Sequence, residues 1–256
     1  MPVTGLYFCP DSGTTQATAL AIRDRLSKLY QPVISSKWSL EHRLLRETIS
    51  SNPSPLPPPT PTTSASAASA AGINTSSSPT QAQAQAPGAT RTSPTAGANP
   101  PQSTAPRFLQ YLDLSYHPGK KFALIDRTIV TLDDSFEHIL TTKLQPSLWA
   151  MRQTLKAEGE SFTLEDFRIR IAMLSQGTVI KGVLVEVEYL PCIYLEQGEP
   201  VIRDFIEQLG LPSGANVRLY FSRAPVLHLR DGDEDAPREF SILDTGMQYM
   251  ELLRFR

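Results

Sequence analysis

Residues 166–192, DFRIRIAMLSQGTVIKGVLVEVEYLPC, contain two runs in which apolar and other side chains alternate. Successive side chains of a β-strand point to opposite faces, so each run predicts a strand with one apolar face. Gly177 and Gly182 lie between the runs, as a turn requires. The stretch therefore predicts a β-hairpin, and other parts of the chain must cover its apolar face.

The side chains of the two runs also predict how the strands pair. One register joins apolar to apolar residues and arginine to glutamate, giving the pairs Met173–Val183, Ile171–Val185, Ile169–Val187, Arg170–Glu186 and Arg168–Glu188. Each larger apolar side chain stabilises the hairpin by about 1.5–3 kcal/mol on burial, against about 0.2–1 kcal/mol for a cross-strand charge pair. The apolar face therefore drives folding, while the charges, expected to form a solvated ladder, select the register.

The remaining ordered segments predict an α+β fold. Strands are expected at residues 3–8, 33–40, 108–116, 121–125, 128–132 and 217–221, with residues 41–49 unassigned. Helices are expected at residues 15–30, 199–209 and 245–254, and at 133–156 with an interruption or kink at Pro146. The expected architecture is an antiparallel β-sheet closing into a barrel-like core that is flanked by helices.

Residues 50–106 differ in composition from the rest of the chain. They consist almost wholly of Ser, Thr, Pro, Ala, Gln, Gly and Asn, with no aromatic or acidic residue and a single basic one, Arg91. Such a segment buries too little apolar surface to offset its chain entropy. We therefore predict one domain formed by residues 1–49 and 107–256, with a disordered insertion at 50–106.

Bulk composition argues against several classes of protein. The 256 residues carry a net charge of −2, which gives no electrostatic reason to expect direct binding of nucleic acid or an anionic membrane. No apolar run reaches the ~18 residues of a membrane span, and no signal peptide is expected at the N-terminus. Two cysteines, Cys9 and Cys192, are too few for a disulfide scaffold.

Motifs for catalysis, metals and cofactors are missing from the sequence. The four histidines are scattered without zinc-ligand spacing, and the acidic run that starts at Asp231 departs from the calcium-loop pattern. We therefore expect no catalytic, metal or cofactor-binding residue. The alternative is a small cysteine-dependent hydrolase or transferase that uses Cys192 as nucleophile and His138 as base, although a buried structural cysteine is the favoured interpretation.

The C-terminal segment is unusually apolar for a chain end. This property favours a partner surface over local core, because apolar residues at an exposed terminus are otherwise unfavourable. The residues expected to bind a partner, each of which could instead belong to the core, are Tyr189, Tyr194, Tyr249, Met250 and Leu252.

Four blocks of the sequence together resemble one family, subunit 20 of the Mediator complex of RNA polymerase II transcription. These blocks are MPVTGLY at the start, KFALIDRTIVTLDDSFEHILTTKL at 121–144, GVLVEVEYLPC at 182–192 and DTGMQYMELL at 244–253. The resemblance covers most of the chain outside the insertion. The insertion departs from compact family members and looks like an elaboration of filamentous-fungal ones.

This resemblance implies a non-enzymatic coactivator subunit in the nucleus, with no catalytic residues to carry over. Family members pair with Mediator subunit 18, which has a related fold, and the pair is tethered to the head module through subunit 8. The head module contacts RNA polymerase II and the initiation machinery. The implied partners are therefore these subunits directly and the polymerase machinery indirectly.

Overall fold

A computed structural model of the chain describes residues 1–48, 106–145, 147–211, 217–225 and 237–254. The segment expected to be a disordered insertion lies outside these ranges, apart from Pro106, and so does the acidic run at 231–235. The division into one domain with an insertion stays a prediction.

In the described residues, nine antiparallel strands form one sheet. Along the sheet their order is β5-β4-β3-β2-β6-β7-β8-β1-β9. The strands are β1 (Val3–Pro10), β2 (Val33–Glu47), β3 (Phe108–Leu114), β4 (Lys121–Ile125), β5 (Thr128–Leu132), β6 (Trp149–Thr163), β7 (Phe167–Gln176), β8 (Val179–Tyr189) and β9 (Arg218–Tyr220).

Helices pack on both faces of this sheet. The α-helices are α1 (Thr15–Leu29), α2 (Ser135–Ile139), which continues as a π-helical turn (Leu140–Leu144), α3 (Leu195–Leu209) and α4 (Ile242–Leu252). α1 and α3 share one apolar core with β1, β7 and β8, whereas α4 lies in a second core on the opposite face. Among the described residues, no helix has the length and apolar character to cross a membrane.

The sheet is open, so the predicted closure into a barrel is wrong. β5 and β9 lie at opposite ends of the strand order and do not pair with each other. α4 packs against β1 near one end of the strand order and against β3, β4 and β5 toward the other. The C-terminal helix therefore covers one face of the sheet, and that face is buried without closure of a barrel.

The central hairpin is built as the sequence predicted. β7 and β8 pair with Met173 opposite Val183, and the four further predicted pairs are present in the same register. A register shift between Leu174 and Ser175 accommodates the turn. Apolar alternation and opposite charges were sufficient to determine this register.

The predicted helix at 133–156 is the main error in secondary structure. Only residues 135–144 are helical, and β6 begins at Trp149 and pairs with β2 along its length. Leu148, Met151 and Leu155 have helical spacing, but only Leu155 is buried, and the first two are 40% and 43% exposed. That spacing was coincidental, and strand pairing with the unassigned half of β2 decided the structure.

Both later helices begin earlier than predicted. α3 starts at Leu195 instead of residue 199, and it ends as predicted at Gly210, which adopts a left-handed conformation at φ 52°. α4 starts at Ile242 instead of residue 245, because Ser241 and Asp244 form a capping box ahead of the predicted first turn.

Candidate functional site: a buried polar cluster beneath the C-terminal helix

The β7–β8 hairpin carries four charged side chains on the face opposite α1 and α3. Arg170 forms ion pairs with Glu186 at 2.5 Å and with Glu188 at 3.1 Å, and Arg168 pairs with Glu188 at 3.0 Å. Arg170, Glu186 and Glu188 are buried. The predicted charge pairing is confirmed, but the predicted solvation is wrong for Arg170, Glu186 and Glu188, and Tyr116 and Tyr249 of α4 bond to Glu186.

Two tyrosine hydroxyls complete the hydrogen bonding of Glu186. Tyr116 donates to Glu186 Oε2 at 2.7 Å, and Tyr249 of α4 donates to the same oxygen. The guanidinium carbon of Arg170 lies 3.8 Å from the centroid of the Tyr116 ring, which therefore also covers the cation. Burial, together with the charge of Glu186, raises the pKa of both tyrosines well above the ordinary value, so both hydroxyls remain donors.

A second set of polar contacts fixes the start of α4. Fully buried Asp244 accepts hydrogen bonds from the backbone amides of Ser241 at 2.7 Å and Ala224 at 2.8 Å, and it pairs with Arg238. Burial alone would raise the pKa of Asp244, but the hydrogen bonds from Arg238 and Ser241 outweigh it and lower the pKa. The carboxylate therefore ties the helix to two preceding segments of chain.

A third set joins the middle of α4 to β1. Gln248 Nε2 donates to the carbonyl oxygen of Thr4 at 3.0 Å, and the Thr4 hydroxyl donates to Gln248 Oε1 at 3.2 Å. The hydroxyls of Thr4 and Thr245 are 3.1 Å apart. All three residues are fully buried. Together with Tyr249 and Asp244, they leave α4 a single position along the sheet in which its buried polar groups have partners.

His42 is a further buried polar residue, on β2. Its Nε2 lies 3.0 Å from Gln110 Oε1 on the neighbouring strand, and both side chains are buried. Burial lowers the pKa of His42 to about 4, so the imidazole is neutral near pH 7.

The buried polar cluster around Glu186 holds elements of the fold together and does not present a reactive group to a substrate. The carboxylate of Glu186 accepts hydrogen bonds from Arg170, Tyr116 and Tyr249 of the same chain. Glu186 has no exposed surface. A general acid or base must reach the proton of a bound substrate, and the geometry of Glu186 provides no such access. A buried charge is tolerated when its partners are in place and is costly when one is removed. We infer that the cluster specifies where α4 docks.

The residues expected to bind a partner fall into two groups. Tyr249, Met250 and Leu252 are 0%, 0% and 3% exposed, within the core that α4 shares with the sheet. Tyr189 and Tyr194 are partly buried beside the core under α1 and α3, and the Tyr189 ring lies 5.1 Å from that of Phe167. Of these five residues, only Tyr189 and Tyr194 have an exposed surface that a partner could contact in this conformation. A partner-binding role for all five stays a prediction.

The alternative catalytic pair is not brought together. Cys192 is 8% exposed in the core under α1 and α3, and its thiol donates to the carbonyl oxygen of Tyr194 at 3.2 Å. His138 is an exposed residue of α2, whose neighbours Phe136 and Leu140 belong to a different core. Within the described part of the chain, no group of three or more His, Cys, Asp or Glu side chains is placed to hold a metal ion.

Sequence reasoning missed several members of the buried cluster. Tyr116 and Gln248 carry no signal of their own, because their partners are more than 60 residues away in the chain. Asp244 did carry one: Ser241 and Asp244 have the i,i+3 spacing of a capping box, which marks a helix start.

Comparison with known proteins identifies the family of this chain. Residues 1–254 match the family model described as "TATA-binding related factor (TRF) of subunit 20 of Mediator complex". Among solved structures, a likeness to the PH1012 protein of Pyrococcus horikoshii OT3 has a TM-score of 0.38 at 12% identity, over 83% of this chain and 92% of that one. A likeness this weak supports no conclusion about fold or function.

Curated relatives carry the same family name. "Mediator of RNA polymerase II transcription subunit 20" of Aedes aegypti is 28% identical over 156 residues, covering 59% of this chain and 70% of the relative. The protein of that name from Schizosaccharomyces pombe is 24% identical over 115 residues, covering 45% and 58% respectively. Because the family model spans nearly the whole chain, from β1 through the central hairpin to α4, the chain belongs to the Mediator subunit 20 family.

Proposed function

We propose that this chain is a component of Mediator that acts in regulated RNA polymerase II transcription as a non-enzymatic scaffold, through protein–protein contacts. The observation that carries this proposal is the family match over residues 1–254. The geometry supports the scaffold role, because the buried ionisable groups bind one another and α4 instead of opening toward a substrate.

The finer proposal places the chain in the head module in the nucleus. Its direct partners would be Mediator subunit 18, as a heterodimer, together with subunit 8 and other head-module subunits, and it would reach the polymerase machinery through them. The resemblance of the four sequence blocks supports these assignments. The net charge of −2 supports contact with proteins rather than directly with nucleic acid.

Within this proposal, the five predicted partner residues have two different roles. Tyr189 and Tyr194, which are partly exposed, would contact a partner directly. Tyr249, Met250 and Leu252 would contribute by holding α4 and the sheet rigid, since their side chains are enclosed by this chain. A rigid surface binds with a smaller loss of conformational entropy, which improves affinity.

An affinity purification from the source organism tests the proposal. The full chain with an affinity tag is purified at moderate salt, and the recovered proteins are quantified by mass spectrometry. We expect Mediator head-module subunits, with the subunit 18 homologue near one-to-one with the tagged chain. Recovery of the chain alone, or with unrelated metabolic enzymes, would contradict the proposal.

A further inference from the structure

The open sheet has an end strand with unused hydrogen-bonding groups. β5 pairs with β4 only, through a hairpin in which Ile125 lies opposite Thr128 across a two-residue turn. The residues that flank such a turn bond to each other, so Thr128, Val130 and Leu132 direct their backbone groups toward β4. The amide and carbonyl groups of Ile129 and Thr131 then point away from the sheet. In the part of the chain that the structure describes, β4 is the only strand that pairs with β5, and no backbone hydrogen bond from a turn or loop reaches these groups.

Two other open edges of the same sheet are protected against pairing. β3 pairs with β2 only from Leu40 onward, so the start of β2 also has a free side. That stretch follows Pro32, contains Lys37 and has a register shift between Ile34 and Ser36. Proline, lysine and bulges are the features by which natural edge strands avoid adding another strand. β9, at the far end, is only three residues long and starts with an arginine.

β5 has none of these features. Its sequence, TIVTL, contains no proline, glycine or charged residue, and three of its five residues are β-branched threonine or valine with exposed side chains. Val130 is 40% exposed, and Ile139 on neighbouring α2 is 44% exposed. An uncharged, exposed edge is an aggregation hazard unless another strand covers it.

The charges at the two ends of β5 indicate what kind of strand would fit. Exposed Arg127 precedes the strand, and exposed Asp133 follows it. Within the described residues neither takes part in an ion pair, whereas nearby Asp126 and Asp134 pair with Arg107 and Lys121 at 3.4 Å each. An antiparallel partner would place its N-terminal end near Asp133 and its C-terminal end near Arg127.

We propose that β5 is a strand-addition site for an extended segment of a partner protein. The segment pairs antiparallel with β5, as every paired strand in this sheet does. It carries a lysine or arginine at its N-terminal end, an aliphatic residue beside Val130 and a carboxylate near Arg127. The backbone groups of Ile129 and Thr131 supply the hydrogen bonds, and the flanking charges fix the direction. This inference rests on the proposed function, since it takes the partner to be another Mediator subunit.

Two substitutions in β5 and one matched control test the site. Thr131→Pro removes an amide that points outward, at an edge position where proline is tolerated, and leaves the bonds to β4 in place. Val130→Lys adds the charge that β5 lacks. The control is Val33→Lys on the free stretch of β2, where the valine is 67% exposed. Circular dichroism and thermal unfolding of each purified variant establish that it folds.

The first readout is recovery of Mediator subunits with the tagged full-length chain. We expect both β5 variants to lower recovery of at least one direct partner tenfold or more, while Val33→Lys recovers it as the wild type does. Equal recovery with all variants, while the wild type recovers Mediator, would overturn the strand-addition site and leave the proposed function intact. Failure of the wild type itself to recover Mediator would instead overturn the proposed function, and this inference with it.

The second readout is amide hydrogen exchange of the chain, free and in the purified complex. We expect exchange at the amides of Ile129 and Thr131 to slow at least tenfold in the complex. Exchange at the amide of Lys37, in the free stretch of β2, should change less. Unchanged exchange at both β5 amides would overturn the proposal. A free chain that dimerises by light scattering, and becomes monomeric with Thr131→Pro, would also overturn it, because the occupant would then be a second copy.

Discussion

The two faces of the β7–β8 hairpin are stabilised by different interactions, one by apolar packing and the other by buried ion pairs and hydrogen bonds. On one face Ile169, Ile171 and Val185 pack in an apolar core with α1 and α3. On the other face Arg170 and Glu186 form a buried ion pair that α4 covers. The same two strands thus present an apolar interface, covered by α1 and α3, and a polar one, covered by α4.

The difference concerns how strictly each helix is positioned. Apolar burial is non-directional and scales with area, so α1 and α3 could shift slightly at small cost. Buried polar groups are stable only with their own partners, so α4 must place Tyr249 on Glu186 and Gln248 on Thr4. We infer that the apolar face supplies most of the stability and the polar face supplies the specificity of docking.

Removal of the central cation should have the largest effect. Arg170→Met leaves Glu186 and Glu188 buried without their shared partner, and we expect a loss of about 3–5 kcal/mol in the free energy of unfolding, measured by urea titration. The matched control is Arg168→Met in the same ladder, where the side chain is 37% exposed and the expected loss is below about 1 kcal/mol. Equal losses for the two variants would contradict the assignment of Arg170 as the buried cation and Arg168 as the exposed one.

Loss of a single hydroxyl should have the next largest effect. Tyr249→Phe keeps the ring but removes a donor to a buried carboxylate, and we expect a loss of about 1.5–3 kcal/mol. Tyr189→Phe is the control at a partly buried ring, with an expected change within about 0.5 kcal/mol. A Tyr249→Phe variant as stable as the control would contradict the role of this hydroxyl in docking α4.

The stability of the fold should also depend on pH through His42 of β2. Its folded pKa of about 4 lies below the unfolded value near 6.5, so the unfolded chain binds more protons between these values. Stability therefore falls as pH falls through this window, by about 2 kcal/mol from this group between pH 7 and pH 5. His42→Gln removes the titration, so its urea-derived stability should depend less on pH than that of the wild type. Parallel pH profiles would contradict the assignment.

The apolar face should give the smallest and least specific effect. Ile171→Val removes one methylene from the core under α1 and α3, and we expect a loss of about 0.5–1.5 kcal/mol. Because no titrating group is involved, the loss should be the same at pH 5 and pH 7. A loss above that of Tyr249→Phe, or one that changes with pH, would contradict the division between the two faces.

The hairpin itself was predictable because its information is local. Alternation places Ile169, Ile171 and Val185 on one face, and only one register then pairs Arg170 with Glu186. The 121–125 and 128–132 strands were predictable for the same reason, since each is short, apolar and bounded by turn residues. Family membership was likewise predictable from the four sequence blocks.

What could not be predicted depends on segments far apart in the chain. The ladder of Arg170 and Glu186 looks the same in sequence whether water or α4 covers it, and α4 lies more than 50 residues beyond Glu186. The open sheet follows from the same fact, since α4 covers the face that closure into a barrel would otherwise bury. Residues 149–156 of β6 were predicted as helix because the register shift opposite Leu44 and Leu45 interrupts the alternation of side chains along this strand.

The most direct test of this account is amide hydrogen exchange of the free wild-type chain across α4. α4 is buried against the sheet, so the amides of Gln248, Tyr249 and Met250 should exchange as slowly as those of β7 and β8, with opening free energies close to that of global unfolding. Exchange of α4 at the rate of a frayed terminus, while β7 and β8 remain protected, would contradict it. The helix would then be a surface element, and the buried cluster would not be what positions it.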